Sequence, residues 1–160
     1  MSKPNLPEIL KPVEAINPQT TNGALVGDYI NLKNCAGRVF VELHFTQAVA
    51  HATVITIEQA TDVAGTGSTP ITVAVPIWSN VDTAAGDTWT ARTAAVSYAL
   101  PATAKNMMVL FQVDTGTLDA GYDCICVKTA ASGQATNLVA AKYLIDNKYG
   151  GASAPSAIVD

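Results

Sequence analysis

Charged residues are scarce in this chain. They make up 14% of its 160 residues, and the 9 lysines and arginines against 13 aspartates and glutamates give a net charge of -4. The only two arginines are Arg38 and Arg92, so the sequence lacks the basic patch that binds the phosphates of a nucleic acid. We therefore expect no nucleic-acid partner. With 49% hydrophobic residues, the chain is nevertheless apolar enough to fold.

Long apolar runs are also missing. The sequence has no stretch of about 18 consecutive apolar residues, and its first residues lack the apolar segment of a secretory signal. These features predict a protein that has no membrane partner and is not secreted. Cys35, Cys124 and Cys126 are an odd number at spacings unlike a disulfide framework, which indicates three thiols in a reducing compartment.

Residue patterns for catalysis are few. His44 and His51 are the only histidines, and no Gly-x-Ser-x-Gly motif accompanies them. The loop at residues 65–68 is glycine-rich, but it lacks the lysine and the following helix of a phosphate-binding loop, so we interpret it as a turn. We expect a protein that is not an enzyme and has no cofactor.

Two groups of residues have the chemistry of metal ligands, and each also has a purely structural interpretation. Cys124 and Cys126 would place two thiols on one face of a strand, where they are either two of the four ligands of a zinc site or, as we favour, small buried residues. Asp114, Asp119 and Asp123 surround a glycine-containing connection, where aspartates hold calcium or, more commonly, cap turns. We expect no metal site in either group.

Alternating apolar and polar residues run through the centre of the chain. In residues 38–46 every second side chain is apolar, which is typical of a strand with one face in a core. The alanines of residues 137–145 are compatible with a helix, but the β-like end of this segment favours a strand. Eight or nine strands are predicted, over residues 27–32, 38–46, 51–59, 71–78, 88–92, 95–100, 106–113, 122–129 and 137–145. Short connections favour antiparallel pairing, so the predicted fold class is all-β, a single antiparallel β-sandwich with jelly-roll-like topology.

The two ends of the chain differ from this body, which we assign to residues 25–147. Residues 1–24 contain four prolines, which exclude a helix or a central strand and predict an extended N-terminal arm. Residues 148–160 combine a Gly- and Ala-rich stem with an apolar tip and predict a flexible C-terminal arm. The arm side chains that we expect to bind a partner are Leu6, Ile9, Leu10, Val13, Ile16, Tyr149, Ile158 and Val159.

Several short segments carry a family resemblance. They are residues 27–34 (GDYINLKN), 56–61 (TIEQAT), 64–68 (AGTGS), 75–78 (VPIW), 111–114 (FQVD), 123–125 (DCI), 127–129 (VKT) and 155–160 (PSAIVD). Together they resemble a group of virion proteins of tailed bacteriophages and prophages that are encoded among head genes. The resemblance covers most of the chain beyond residue 25 and includes no catalytic or ligand motif.

This resemblance implies a structural protein of the virion, made in the cytoplasm of a bacterial host and located at the capsid surface. In that setting, a small β-sandwich with two arms is similar to capsid decoration, or cement, proteins. These sit on the shell as oligomers, so the implied partners are the major capsid protein and other copies of this chain, as a dimer or a trimer. One alternative is a head-tail connector or tail component. Another is a glycan-binding module. This alternative requires that Trp78 and Trp89 are exposed together with neighbouring tyrosines, for which the candidates are Tyr98, Tyr122 and Tyr143.

Overall fold

The computed structural model describes residues 6–148 and 155–159. One short helix and one 3-10 turn accompany the strands in these residues. The helix is α1 (Leu6–Ile9), and the 3-10 turn is Thr115–Thr117. The strands are β1 (Leu10–Thr20), β2 (Leu25–Val26), β3 (Ile30–Asn31), β4 (Cys35–Thr46), β5 (Val54–Ala60), β6 (Thr69–Pro70), β7 (Val75–Asn80), β8 (Thr90–Ala95), β9 (Ser97–Ala99), β10 (Asn106–Asp114), β11 (Cys124–Thr129) and β12 (Leu138–Asn147).

The strands form two antiparallel sheets. Sheet 1 has the order β1-β12-β4-β10-β7-β8. Sheet 2 has the order β2-β11-β5-β6, with β3 also paired to β11 and β9 also paired to β5. The chain passes repeatedly from one sheet to the other, as in a jelly roll. The predicted all-β sandwich is therefore confirmed.

The core lies between the two sheets and follows directly from the alternating sequence. In β4 every second residue is fully buried, and Val39, Val41 and Leu43 have no exposed surface. Their neighbours on the opposite face, Phe40 and Glu42, are only half-buried. Strands β10 and β12 repeat this pattern beside β4, and β5 and β11 supply the facing side chains from sheet 2. Period-two patterning thus determines which face of each strand is buried.

Two strand predictions are refined by backbone hydrogen bonds. Of the predicted strand 27–32, only Ile30–Asn31 forms a strand, β3, and β2 lies before the predicted range at Leu25–Val26. The Gly27 N–H donates to Val127 O (2.8 Å) in sheet 2, whereas the Asp28 N–H donates to Ala15 O (2.9 Å) in sheet 1. Residues 27 and 28 therefore bond to different sheets, and this crossing separates β2 from β3. Residues 137–145, for which a helix was the alternative, form β12. Pro76 lies in β7 at the register shift between Val75 and Ile77, in agreement with the rule that proline inside a sheet needs an edge or a bulge.

The described part of the predicted N-terminal arm lies on its own subunit. Strand β1 is an edge strand of sheet 1 and pairs with β12 from Leu10, opposite Asp146, to Thr20, opposite Leu138. Register shifts between Glu14 and Gln19 accommodate a buried Ala15 followed by a buried Ile16. Residues 10–20 are therefore extended and complete sheet 1, but Leu6–Ile9 form the single-turn helix α1, so the expectation that prolines exclude a helix from this arm is wrong for that turn.

Candidate interaction surfaces

The two ends of the chain meet at one end of the sandwich. Because β1 and β12 are antiparallel neighbours, the start of the first strand lies beside the end of the last. The Asn147 side-chain amide donates to Pro7 O (3.3 Å), and the Lys11 ammonium donates to Pro155 O. Both terminal segments are thus held at this end of the molecule.

This end exposes apolar side chains from both segments. The terminal patch, as we call it, consists of Leu6 (63% exposed), Ile9 (46%), Ile158 (53%) and Val159 (63%). Leaving large apolar groups in water is unfavourable, and such groups on neighbouring segments are typical of a surface that binds another protein. All four belong to the side chains that the sequence predicts as partner contacts.

The remaining predicted contact residues have other environments. Leu10 and Val13 are half-buried on β1, and Val13 packs against the core. Ile16 is 3% exposed and belongs to the core itself, so its side chain is not accessible to a partner in this fold. The sequence pattern did not show this, since the bulge of β1 turns Ile16 inwards. Tyr149 lies outside the described residues.

The segment Pro155–Val159 is bound to the outer edge of β3. The backbone N–H of Asn31 donates to Ala157 O (2.7 Å), and the Asn31 side-chain amide donates to Val159 O (2.7 Å). Ala157 is 7% exposed and packs with the core residues. Sequence reasoning missed Asn31; its one signal is a polar residue between two apolar ones, Ile30 and Leu32, in a strand-like segment.

A second apolar surface lies on the outer face of sheet 1. Phe40, Trp78, Trp89, Leu110 and Gln112 line a shallow groove with a volume of about 360 Å³. Trp78 lies directly opposite Leu110 in the sheet, and Trp89, which precedes β8, is 38% exposed. Both tryptophans of the chain therefore line one groove, whose lining carries no charged side chain.

The tyrosines named with these tryptophans do not join them. Tyr143 is fully buried in the core, and its hydroxyl donates to Asp28 O (2.9 Å) and accepts from the Val127 N–H (3.0 Å). Tyr98 packs against the core near Ser79 on the inner side of sheet 1. The five aromatic residues are therefore not one exposed platform.

The cysteines are buried thiols. Cys35, Cys124 and Cys126 are all free, and burial raises the pKa of Cys126 to about 11. At neutral pH this thiol is protonated and is neither a good nucleophile nor a ready metal ligand. In residues 6–148 and 155–159, no group of three or more histidine, cysteine and acidic side chains is arranged to hold a metal ion.

The three aspartates of the calcium alternative have separate partners. Asp119 accepts from the side chains of Gln59 (2.6 Å) and Thr72 (2.8 Å), so it anchors its loop to β5. Asp123 is 3.7 Å from the Lys33 ammonium, and Asp114 accepts from Gln112 (3.4 Å). Each carboxylate thus has a local structural role of the kind that loop aspartates usually have.

A polar network covers part of the outer face of sheet 2. Glu58 accepts from Ser68 and is 2.6 Å from the Lys128 ammonium, while the Tyr29 hydroxyl donates to Ser68 (2.7 Å). Burial acts to raise the pKa of Glu58, but hydrogen bonds from Lys128 and Ser68 outweigh it and lower that pKa. The network fixes the loop at residues 65–68 on β5, and this loop is a turn, as the sequence predicts.

The described elements include no helix that is long and apolar enough to cross a membrane.

Together, these features define a small antiparallel β-sandwich whose terminal segments expose apolar side chains. No protein-family model matches the chain, and no curated protein matches it. Among solved structures, it is similar to the SPBc2 prophage-derived protein YomS, with a TM-score of 0.49 and 8% sequence identity. The match covers 91% of this chain and 96% of YomS.

Proposed function

We propose that this chain is a non-enzymatic structural protein of a bacteriophage virion. In this proposal it is a capsid decoration, or cement, protein, which binds the outside of the assembled head and stabilises contacts between major capsid protein subunits. Its partners are the major capsid protein and other copies of itself. The observation that carries the proposal is the terminal patch, because it gathers exposed apolar side chains from both ends of the chain on one side of a compact body.

The physical basis of the proposed role is the thermodynamic linkage between binding of this protein and stability of the assembled shell. A protein that binds only the assembled shell stabilises that shell by mass action. Many copies that each contribute a modest apolar contact then produce a large total effect. The low charge of the chain supports this role, since uncharged surface is less costly to desolvate when an interface forms.

The proposal is tested by placing charges in the terminal patch. We expect the double variant Leu6→Asp/Ile9→Asp to lose co-sedimentation with capsids that lack this protein, because two carboxylates cannot enter an apolar contact without a large desolvation penalty. The matched control is Val73→Asp, since Val73 is similarly exposed (45%) but lies in the β6–β7 connection. Undiminished capsid binding by the double variant, with circular dichroism showing that all three proteins are folded, would overturn the proposal.

A glycan-binding role is the second candidate, and the groove that contains both tryptophans favours it. Aromatic faces next to an amide such as that of Gln112 provide stacking and hydrogen bonding for an uncharged ligand. Because Trp78 and Trp89 are the only tryptophans, intrinsic fluorescence reports directly on this groove. A saturable change on adding host-surface oligosaccharide, abolished by Trp89→Ala, would support this role, and unchanged fluorescence would exclude it for the sugars tested.

A further inference from the structure

The edge of β3 that faces away from β11 is occupied by the segment Pro155–Val159 of the same chain. Next along the chain, the Leu32 N–H donates to Asp123 O (2.8 Å) and so points towards β11. The N–H of Asn31 points the opposite way and meets Ala157 O. The segment Pro155–Val159, which we call the tail segment, thus lies against the outer edge of β3 and occupies the unpaired N–H of Asn31, the kind of group to which a peptide binds at the edge of a sheet.

The contacts of the tail segment are specific but few. Asn31 donates one backbone and one side-chain hydrogen bond to it, Lys11 donates a third to Pro155 O, and Ala157 is the side chain buried in the core. The side chains of Ile158 and Val159 remain more than half exposed. Because these contacts are few, the segment detaches without unfolding the sandwich.

The chain length between the body and the tail segment allows a second mode of binding. Residues 149–154 join Lys148 to Pro155, and seven virtual bonds span at most about 25 Å. This reach is comparable with the width of a sandwich, so a detached tail segment extends past the surface of its own subunit. A neighbouring copy offers the same β3 edge with the same Asn31 and the same space for Ala157.

We propose that the tail segment is exchanged between copies, so that the β3 edge of one subunit binds the tail segment of another. Exchange keeps every contact that the segment makes within one chain, which is why swapping a segment between identical subunits costs little. It also brings Ile158 and Val159 of one copy to the terminal patch of the next, where Leu6 and Ile9 are exposed. This inference rests on the part of the proposed function that concerns self-association and is independent of the capsid.

The first test uses a full-length variant, Ala157→Asp, in which a charge at the buried position expels the tail segment and leaves the β3 edge free. The probe is a peptide of residues 155–160 (PSAIVD), and the matched control peptide carries the same Ala157→Asp change. We expect PSAIVD to shift the NMR signal of the Asn31 side-chain amide in the variant at a concentration at least tenfold lower than in the unmodified protein, whose own tail segment competes. The control peptide should produce no shift.

A second variant tests the Asn31 contact where no tail segment competes. Asn31→Ala added to Ala157→Asp removes the donor to Val159 O, and loss of one hydrogen bond of about 1 kcal/mol corresponds to roughly fivefold weaker binding of PSAIVD than to Ala157→Asp alone, followed through backbone amide shifts of β3. Equal binding of PSAIVD and the control peptide would overturn the assignment of β3 as the binding site. Failure of PSAIVD to bind the unmodified protein and both variants would also overturn it.

Exchange itself is tested without capsids. Affinity-tagged Ala157→Asp protein has a free β3 edge, and untagged unmodified protein supplies tail segments. We expect the untagged unmodified protein to co-purify with the tagged variant, and untagged Ala157→Asp protein not to do so. Peptide binding without co-purification would show that the segment docks only within its own chain and would overturn the exchange. Failure of the capsid assay above would leave these results unchanged, so the two proposals fail separately.

Discussion

Tyr143 joins the two sheets at the scale of a single residue. Its ring is fully buried on β12, and its hydroxyl bonds Asp28 O and the Val127 N–H, both in the segments of sheet 2 that face it. We expect Tyr143→Phe to lower the free energy of unfolding by about 1–3 kcal/mol, because it leaves the N–H of the buried Val127 without a partner and removes the donor to Asp28 O. Urea unfolding measures this change.

The control for this variant is Tyr122→Phe, which removes a hydroxyl from a half-buried tyrosine outside the core. We expect its free energy of unfolding to change by less than about 0.5 kcal/mol. Equal effects of the two substitutions would contradict the role assigned to Tyr143. The alternating pattern predicts that Tyr143 faces the core, but not what its hydroxyl binds, because both partners are backbone groups of distant residues.

Cys126 links stability to alkaline pH. Its pKa is about 11 in the folded protein, against 9.0 for an ordinary thiol, so above pH 9 the unfolded chain loses a proton that the folded chain keeps. The contribution of Cys126 is therefore complete below pH 9 and is lost as the pH rises from 9 to 11. We expect Cys126→Ala to show a shallower fall in the free energy of unfolding over this range, measured by urea unfolding at each pH. Parallel pH profiles for the two proteins would contradict this account.

At the scale of elements, β1 has a double character. It supplies Ala15 and Ile16 to the core, whereas Leu6 and Ile9, just before it, face solvent. We expect Ile16→Ala to lower the free energy of unfolding by about 2–5 kcal/mol through loss of buried methyl groups, and Ile9→Ala to change it by less than about 0.5 kcal/mol. Thermal and urea unfolding measure both.

Truncation tests separately the residues before β1, which face solvent, and β1 itself, which contributes to the core. Deleting residues 1–9 should leave the unfolding midpoint unchanged, while deleting residues 1–20 removes the edge strand that pairs with β12 and should destabilise the sandwich. A body that remains equally stable without residues 10–20 would show that β1 is a dispensable arm. The prolines predict an extended arm that is not a central strand, but they do not predict that it joins sheet 1, because the partner strand is set by long-range contacts that a local pattern does not encode.

The prediction of the other elements succeeds where one face is buried. Strands β4, β10 and β12 are long and strongly alternating, and each is predicted within two or three residues of its observed bounds. The short strands β2, β3 and β6 have two residues each, too few to show a period, and depend on single backbone hydrogen bonds such as that of Gly27. The sequence pattern therefore fails to predict strands that are defined by backbone pairing with a neighbour and not by a buried face.

At the scale of the whole molecule, strand order brings the two terminal segments to the same end of the sandwich. The sequence identifies apolar residues at both ends of the chain, but it does not show that these ends lie at the same end of the sandwich. That placement follows from the antiparallel pairing of β1 with β12 and from the hydrogen bond between Lys11 and Pro155 O.

The central claim is that this protein covers the outside of a capsid, and its copy number in intact particles tests it most directly. Particles from the native source are purified by sedimentation, and the chain is quantified against the major capsid protein by mass spectrometry. We predict a ratio of one to one or a simple fraction such as one to two, because a decoration protein follows the repeat of the shell. About a dozen or fewer copies per particle would instead assign the protein to a connector or tail ring, and its absence from particles would contradict the virion role altogether.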